Sequence, residues 1–105
     1  MKVLGIGGSP RVNGNTDVIL AAIISGAEEA GAETDLVHLR DYCITPCIGC
    51  EQCRKDPTCT RFLDGMHLLY PMVDEADALV LGSPTYNYNV PAEMKAFIDR
   101  LYPYY

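Results

Sequence analysis

The sequence predicts an α/β fold with a parallel sheet, and three observations carry that prediction. Short apolar runs ending in glycine or a turn residue alternate with longer helical patterns. Strands and helices in that alternation are joined by right-handed crossovers, which make neighbouring strands parallel. The chain is 105 residues long, 49% hydrophobic and 21% charged, so it holds one globular domain at most.

"KVLGIG" (2–7) reads as the first strand, a buried apolar run that ends in glycine. "GSPRVNGNT" (8–16) is loop chemistry throughout. A helix is predicted from about Thr16 to Ala30, with Asn15 or Thr16 as N-cap and Gly31 just past its end. It is apolar nearly all round for two turns, so it is expected to be largely buried. "ETDLVHL" (33–39) reads as a second strand, less apolar and suited to an edge. Residues 64–76, "DGMHLLYPMVDEA", read as a helix with Asp64 as N-cap. Met66, Leu69, Tyr70 and Val73 share one face of it, and Pro71 is expected to kink or shorten it. "DALVLGSP" (77–84) reads as a buried third strand and "TYNYNV" (85–90) as loop. "PAEMKAFIDRLY" (91–102) reads as a helix with Pro91 in its first turn. Its Met94, Phe97, Ile98 and Leu101 recur at helical spacing.

Three strands make a small parallel sheet, and the third is of the apolar kind that usually lies inside one. The expectation is that residues 1–105 are the N-terminal part of a longer domain; completion of the sheet by another chain is the alternative.

Other classes are excluded by composition. A net charge of −6 argues against a nucleic-acid partner, whose phosphates attract basic surfaces. The longest strongly apolar run, residues 18–24, is far short of a membrane span, and the N-terminus reads as a strand rather than a signal peptide. The expected location is therefore cytoplasmic, where disulfides are rare. His38 and His67 have no carboxylate or cysteine at ligand spacing and are read as structural. Asp99 and Arg100 are expected to pair on the helix surface or to pack against a neighbouring subunit.

The glycine-rich turn between the first strand and first helix is suited to phosphate. Backbone N–H groups and the helix dipole converge there. Ser9, Asn13, Asn15 and Thr16 add side-chain donors, and Arg11 adds a cation. The turn matches neither the dinucleotide fingerprint nor the Walker loop. A solvated polar turn is the plain alternative.

All five cysteines fall in residues 43–59, "CITPCIGCEQCRKDPTC". Disulfides, a metal or iron–sulfur site, and redox-active thiols compete for them. An odd count in a cytosolic setting disfavours disulfides. Cys47, Cys50, Cys53 and Cys59 have a C-x2-C-x2-C-x5-C spacing, which lets one tight loop wrap a cubane much as ferredoxin loops do. Tetrahedral zinc more often uses two separated C-x2-C pairs, and zinc or free thiols remain as alternatives. Gly49 gives the loop backbone freedom, Pro46 and Pro57 stiffen it, and Cys43 is left over as a bystander.

"GSPRVNGNT" resembles the phosphate loop of the NAD(P)H-dependent FMN reductase-like branch of the flavodoxin-like fold. "GSPTYNYNVPAEMKAFIDR" (82–100) resembles the second flavin loop of that family and the helix after it. The cysteine stretch resembles that of iron-sulfur flavoproteins within it. The resemblance implies a doubly wound parallel sheet of strand order 2-1-3-4-5, of which this chain supplies strands 1–3 and three helices. It implies FMN held by Ser9, Arg11, Asn13, Asn15 and Thr16 on one loop and by Pro84, Thr85, Tyr86 and Asn87 on the other. Tyr86, with Tyr88 nearby, would wall the flavin ring. It implies a [4Fe-4S] cluster on Cys47, Cys50, Cys53 and Cys59. The expected function is that of an FMN-dependent oxidoreductase. Its cluster relays electrons between a small carrier such as ferredoxin and the FMN, in a homo-oligomer. One alternative is an NAD(P)H-dependent FMN or quinone reductase without a cluster. The other is a metal-stabilised, non-catalytic binding module.

Overall fold

The computed structural model describes residues 1–104. Three strands, β1 (Lys2–Gly7), β2 (Glu33–His38) and β3 (Ala78–Gly82), form one parallel sheet in the order β2-β1-β3. Three helices accompany them: α1 (Asn15–Glu29), α2 (Met66–Glu75) and α3 (Ala92–Asp99). The predicted class, element order and strand order are therefore observed.

β1 is central, and its residues from Val3 onward are buried. Ile6 lies between Val37 of β2 and Leu81 of β3 in the register and is fully buried. Leu4, Ile6, Leu39, Met66, Leu69, Met94 and Phe97 form the most deeply buried part of the core. Each such side chain contributes roughly 1.5–3 kcal/mol by leaving water. α2 presents Met66, Leu69 and Tyr70 to that core, as the spacing predicts, and Val73 packs beside them. Pro71 lies inside α2 without ending it.

α1 is capped differently from expectation. Gly14 is its N-cap, with no side-chain cap bond, and Gly31 ends it at φ +96°. The helix is also less buried than its composition implies. Only Asp17, Leu20 and Ile24 are buried, whereas Val18 and Ile19 are 63% and 60% exposed. A single helix laid on a sheet covers one stripe of itself, however apolar the rest is.

β3 likewise departs from the expected buried strand. Leu79 and Leu81 are 38% and 45% exposed, because β3 pairs with β1 on one side only. Apolar hollows flank this edge. Ile19, Ile23, Val80 and Leu81 line one, and Val73, Leu79, Leu101 and Tyr104 line the other. Among the described residues, no helix is long and apolar enough to cross a membrane.

Candidate functional site

Parallel strands deliver their following loops to one end of the sheet. The loops after β1 and β3 leave adjacent strands there, and the Gly8 N–H donates to the Gly82 carbonyl at 2.7 Å. In an open α/β sheet, the carboxyl ends of strands whose connections run in opposite directions form the ligand crevice.

The first loop is shaped by its own polar groups. Ser9 is buried, and its Oγ accepts from the Arg11 N–H at 3.1 Å. Asn13 takes a left-handed turn at φ 59°, and its N–H donates to Asp17 Oδ2 at 2.8 Å. The Asp17 carboxylate is in turn held by both Nη atoms of Arg40, at 3.1 and 2.8 Å. Arg40 Nη1 also donates to the carbonyls of Ser9 and Arg11, at 3.0 and 3.3 Å. The Arg40 hydrogen bond is the chief reason the Asp17 carboxyl titrates below its ordinary range, against the opposing effect of burial. With Gly14 as cap, no side chain bonds back to the first turn of α1. Those N–H groups suit an anion, with the side chains of Arg11, Asn13 and Asn15 exposed around them. Asp17 and Arg40 shape the loop, and sequence reasoning missed them. They are 23 positions apart, so no local pattern joins them.

The second loop is a tight hairpin. Tyr86 and Asn89 exchange backbone hydrogen bonds at 2.8 and 3.0 Å, with Asn87 and Tyr88 at φ 49° and 68° between them. Two successive left-handed residues are the geometry of a two-residue turn. Pro84 is half-buried, while Thr85, Tyr86 and Asn87 are exposed. Tyr88 is fully exposed at the tip, so of the two tyrosines Tyr86 is the one held partly against the protein.

The cysteine loop stands apart from these two. All five cysteines are free thiols. Cys47, Cys50, Cys53 and Cys59 line one cavity, together with Phe62, Arg100 and Tyr102 among others, and Cys43 is outside it. The four predicted ligands are thus brought to one place and the predicted bystander is not. The Gly49 N–H donates to Cys47 Sγ at 3.4 Å, a bond that Gly49 permits by adopting φ 70°. As the side chains stand, no three His, Cys, Asp or Glu among the described residues are gathered closely enough to hold a metal ion. The donor set fits a cluster by its chemistry and its common cavity, with the sulfurs still spread around the wall.

The loop is fastened at its stem. The Gly65 N–H donates to the Cys43 carbonyl at 2.7 Å, and a Cβ at Gly65 would come within 2.8 Å of that same oxygen. Asp64 Oδ2 accepts from the Thr45 N–H at 2.8 Å, and Oδ1 accepts from the Met66 N–H at 3.1 Å, although the N-cap of α2 is Gly65 rather than the expected Asp64. Arg100 completes the knot by donating to Asp64 at 2.7 and 3.1 Å. Burial would raise the Asp64 carboxyl, but Arg100 and these N–H groups outweigh it and hold it at about 2. Burial also pushes the Tyr70 hydroxyl up to about 12, and that hydroxyl donates to the Arg100 carbonyl at 2.6 Å.

This corrects the expectation for Asp99 and Arg100. Arg100 is 1% exposed and pairs with Asp64, while Asp99 pairs with Lys95 on the surface. Successive helix residues point about 100° apart, so these adjacent side chains diverge. The histidines differ in their contacts: His67 Nε2 lies 2.7 Å from the Phe62 carbonyl, and His38 Nδ1 lies 3.6 Å from Asp17.

The chain is similar to several known proteins. The family model described as NADPH-dependent FMN reductase matches residues 1–104. An iron-sulfur flavoprotein of Archaeoglobus fulgidus is 43% identical over 104 residues, covering 99% of this chain and 47% of that protein. One from Methanocaldococcus jannaschii is 39% identical over 103 residues, covering 98% of this chain and 53% of that protein. The chain therefore spans about half the length of these relatives. Among solved structures, a flavone reductase is similar with a TM-score of 0.74 and 27% identity, covering 98% of this chain and 30% of that one.

Proposed function

The chain belongs to the NADPH-dependent FMN reductase family, and from that premise we propose that it works in an FMN-dependent oxidoreductase that also carries a [4Fe-4S] cluster. Residues 1–105 are read as the first part of one flavin domain, with the cluster loop at 43–59. The observation that carries the reading is that Cys47, Cys50, Cys53 and Cys59 share one cavity while Cys43 stays outside it. The names of the relatives support the same pairing of flavin with iron and sulfur.

The residues divide the work. The first turn of α1, with Ser9, Arg11, Asn13, Asn15 and Thr16 around it, would hold the FMN phosphate. Asp17 and Arg40 keep that loop in shape from beneath. Pro84, Thr85, Tyr86 and Asn87 would border the ring, with Tyr86 as its wall. The four thiolates would hold the cluster, with the Gly49 N–H donating to the Cys47 sulfur. When bound, FMN supplies a carrier that takes up two electrons and releases them singly, and the cluster supplies one that moves them one at a time. A small carrier such as ferredoxin, or NAD(P)H, would be the redox partner. A cytoplasmic homo-oligomer is the proposed setting, and a reducing compartment suits free thiols.

A second reading, an NAD(P)H-dependent FMN reductase without a cluster, is favoured by the description of the family and by the spread of the thiols around their cavity. An anaerobic absorption spectrum, with iron, zinc and sulfide assays on the same sample, separates the two. Flavin bands with iron and sulfide are expected; flavin bands alone select the second reading. In Cys50→Ser, the iron should be lost with flavin binding largely intact. Unchanged iron content in that variant would remove Cys50 from the ligand set.

A further inference from the structure

The end of α3 buries a cation that neither flavin loop uses. A guanidinium taken out of water is tolerated only where its donors are met. Arg100 is 1% exposed, and two of its nitrogens are met. Nη1 donates to Asp64 Oδ2 and to the Thr45 carbonyl, both at 2.7 Å, and Nη2 donates to Asp64 Oδ1 at 3.1 Å. Nε is buried and has no hydrogen-bond partner among the described residues. The Phe62 ring, 5.2 Å from the guanidinium carbon, flanks the group.

The missing acceptor has a candidate within the same cavity. Arg100 lines the hollow shared by the four cysteines. Cys59 is the one of the four that packs against the core cluster containing Tyr70, whose hydroxyl donates to the Arg100 carbonyl. Ligand sulfurs accept N–H bonds, and such bonds, with nearby charge and burial, set the reduction potential of a cluster.

We propose that Arg100 is a positioning residue for the cluster, its Nε–H donating to the sulfur of Cys59. The inference rests on the cluster reading above. The cationic donor fixes Cys59 at the buried side of the cavity. It favours the more negatively charged, reduced form of whatever the four sulfurs hold. Asp64 has a separate task, keeping the guanidinium in place from its other edge.

The test uses the full chain reconstituted anaerobically with iron and sulfide and grown with 15N-labelled arginine. Iron and sulfide are assayed first; their absence from the wild-type protein overturns the cluster reading and the inference with it. In the loaded, dithionite-reduced protein, pulsed electron paramagnetic resonance should detect a 15N coupling. It should persist in Arg61→Gln, since Arg61 also lines the cavity, and vanish in Arg100→Lys. The midpoint potential of Arg100→Lys should move to more negative values at unchanged iron content. A loaded wild-type protein with no 15N coupling overturns the inference while leaving the cluster reading standing. That measurement needs no variant, so a failure of Arg100→Lys to fold does not spare the proposal.

Discussion

The glycine-rich loop at residues 8–16 is pinned through its middle, whereas the cysteine loop at 43–59 is pinned at its stem. In the first, Ser9, Asn13 and Asp17 turn the backbone inward, and Arg40 grips two of its carbonyls. In the second, Asp64, Gly65 and Arg100 close the two ends, and the exposed stretch between carries the thiols. The first loop is organised by the protein before any anion arrives. The second places its four sulfurs around one cavity without bringing three of them within reach of a common ion among the described residues.

The comparison can be broken most severely at the stem. Replacing Arg100 by Met leaves the half-buried Asp64 carboxylate with two backbone N–H donors but no cation, which should cost about 3 kcal/mol, the low end for a broken buried pair. Urea denaturation should show that loss in the midpoint at unchanged slope. A loss below about 1 kcal/mol would mean that the stem is held by something else.

Acid probes the same knot more gently. Asp64 titrates at about 2 when folded against an ordinary 3.8. A depressed carboxyl contributes stability above its unfolded pKa and loses it as pH falls toward its folded one. Between pH ~5 and ~2 the protein should lose about 2 kcal/mol through this group. Asp64→Asn, less stable at neutral pH, should show a correspondingly shallower acid slope. Parallel slopes would dismiss the group from the acid response.

The pinned loop should respond less in stability and more in binding. Asp17→Asn weakens the charged contact with Arg40 and should cost about 1–2 kcal/mol. Quenching of flavin fluorescence on titration should report weaker FMN binding as the loop loosens. Unchanged affinity would show that the loop keeps its shape without the clamp. The exposed Lys95–Asp99 pair sets the lower limit: Lys95→Ala should change the melting free energy by less than about 0.5 kcal/mol.

Much of this architecture was legible along the chain, because it is written in local periods. The β1, β2 and β3 runs, the α2 face of Met66, Leu69 and Tyr70, and the common neighbourhood of Cys47, Cys50, Cys53 and Cys59 all follow from spacing. What lay across the fold was not legible. Asp17 meets Arg40 over 23 positions and Asp64 meets Arg100 over 36, and no window along the chain spans either pair. The exposure of Ile19 and Leu81 was hidden for the same reason, since apolar composition says what a face can cover and not what lies opposite it. Gly14 holds the cap position next to an Asn13 that turns left-handed and donates to Asp17, a local contact only four positions long that residue types alone did not announce.

The closure at Cys43 and Gly65 has a consequence for engineering. The chain departs and returns through one short hydrogen bond, at a spot too tight for any side chain on residue 65. Between Cys43 and Gly65, Ile44 and Cys59 pack against the core and Arg54 donates to the Tyr102 carbonyl, and the rest of the segment lies outside the core. A binding loop of different length or chemistry, spliced between those two residues with Ile44, Cys59, Asp64 and Arg100 retained, should leave the sheet unaware of the exchange.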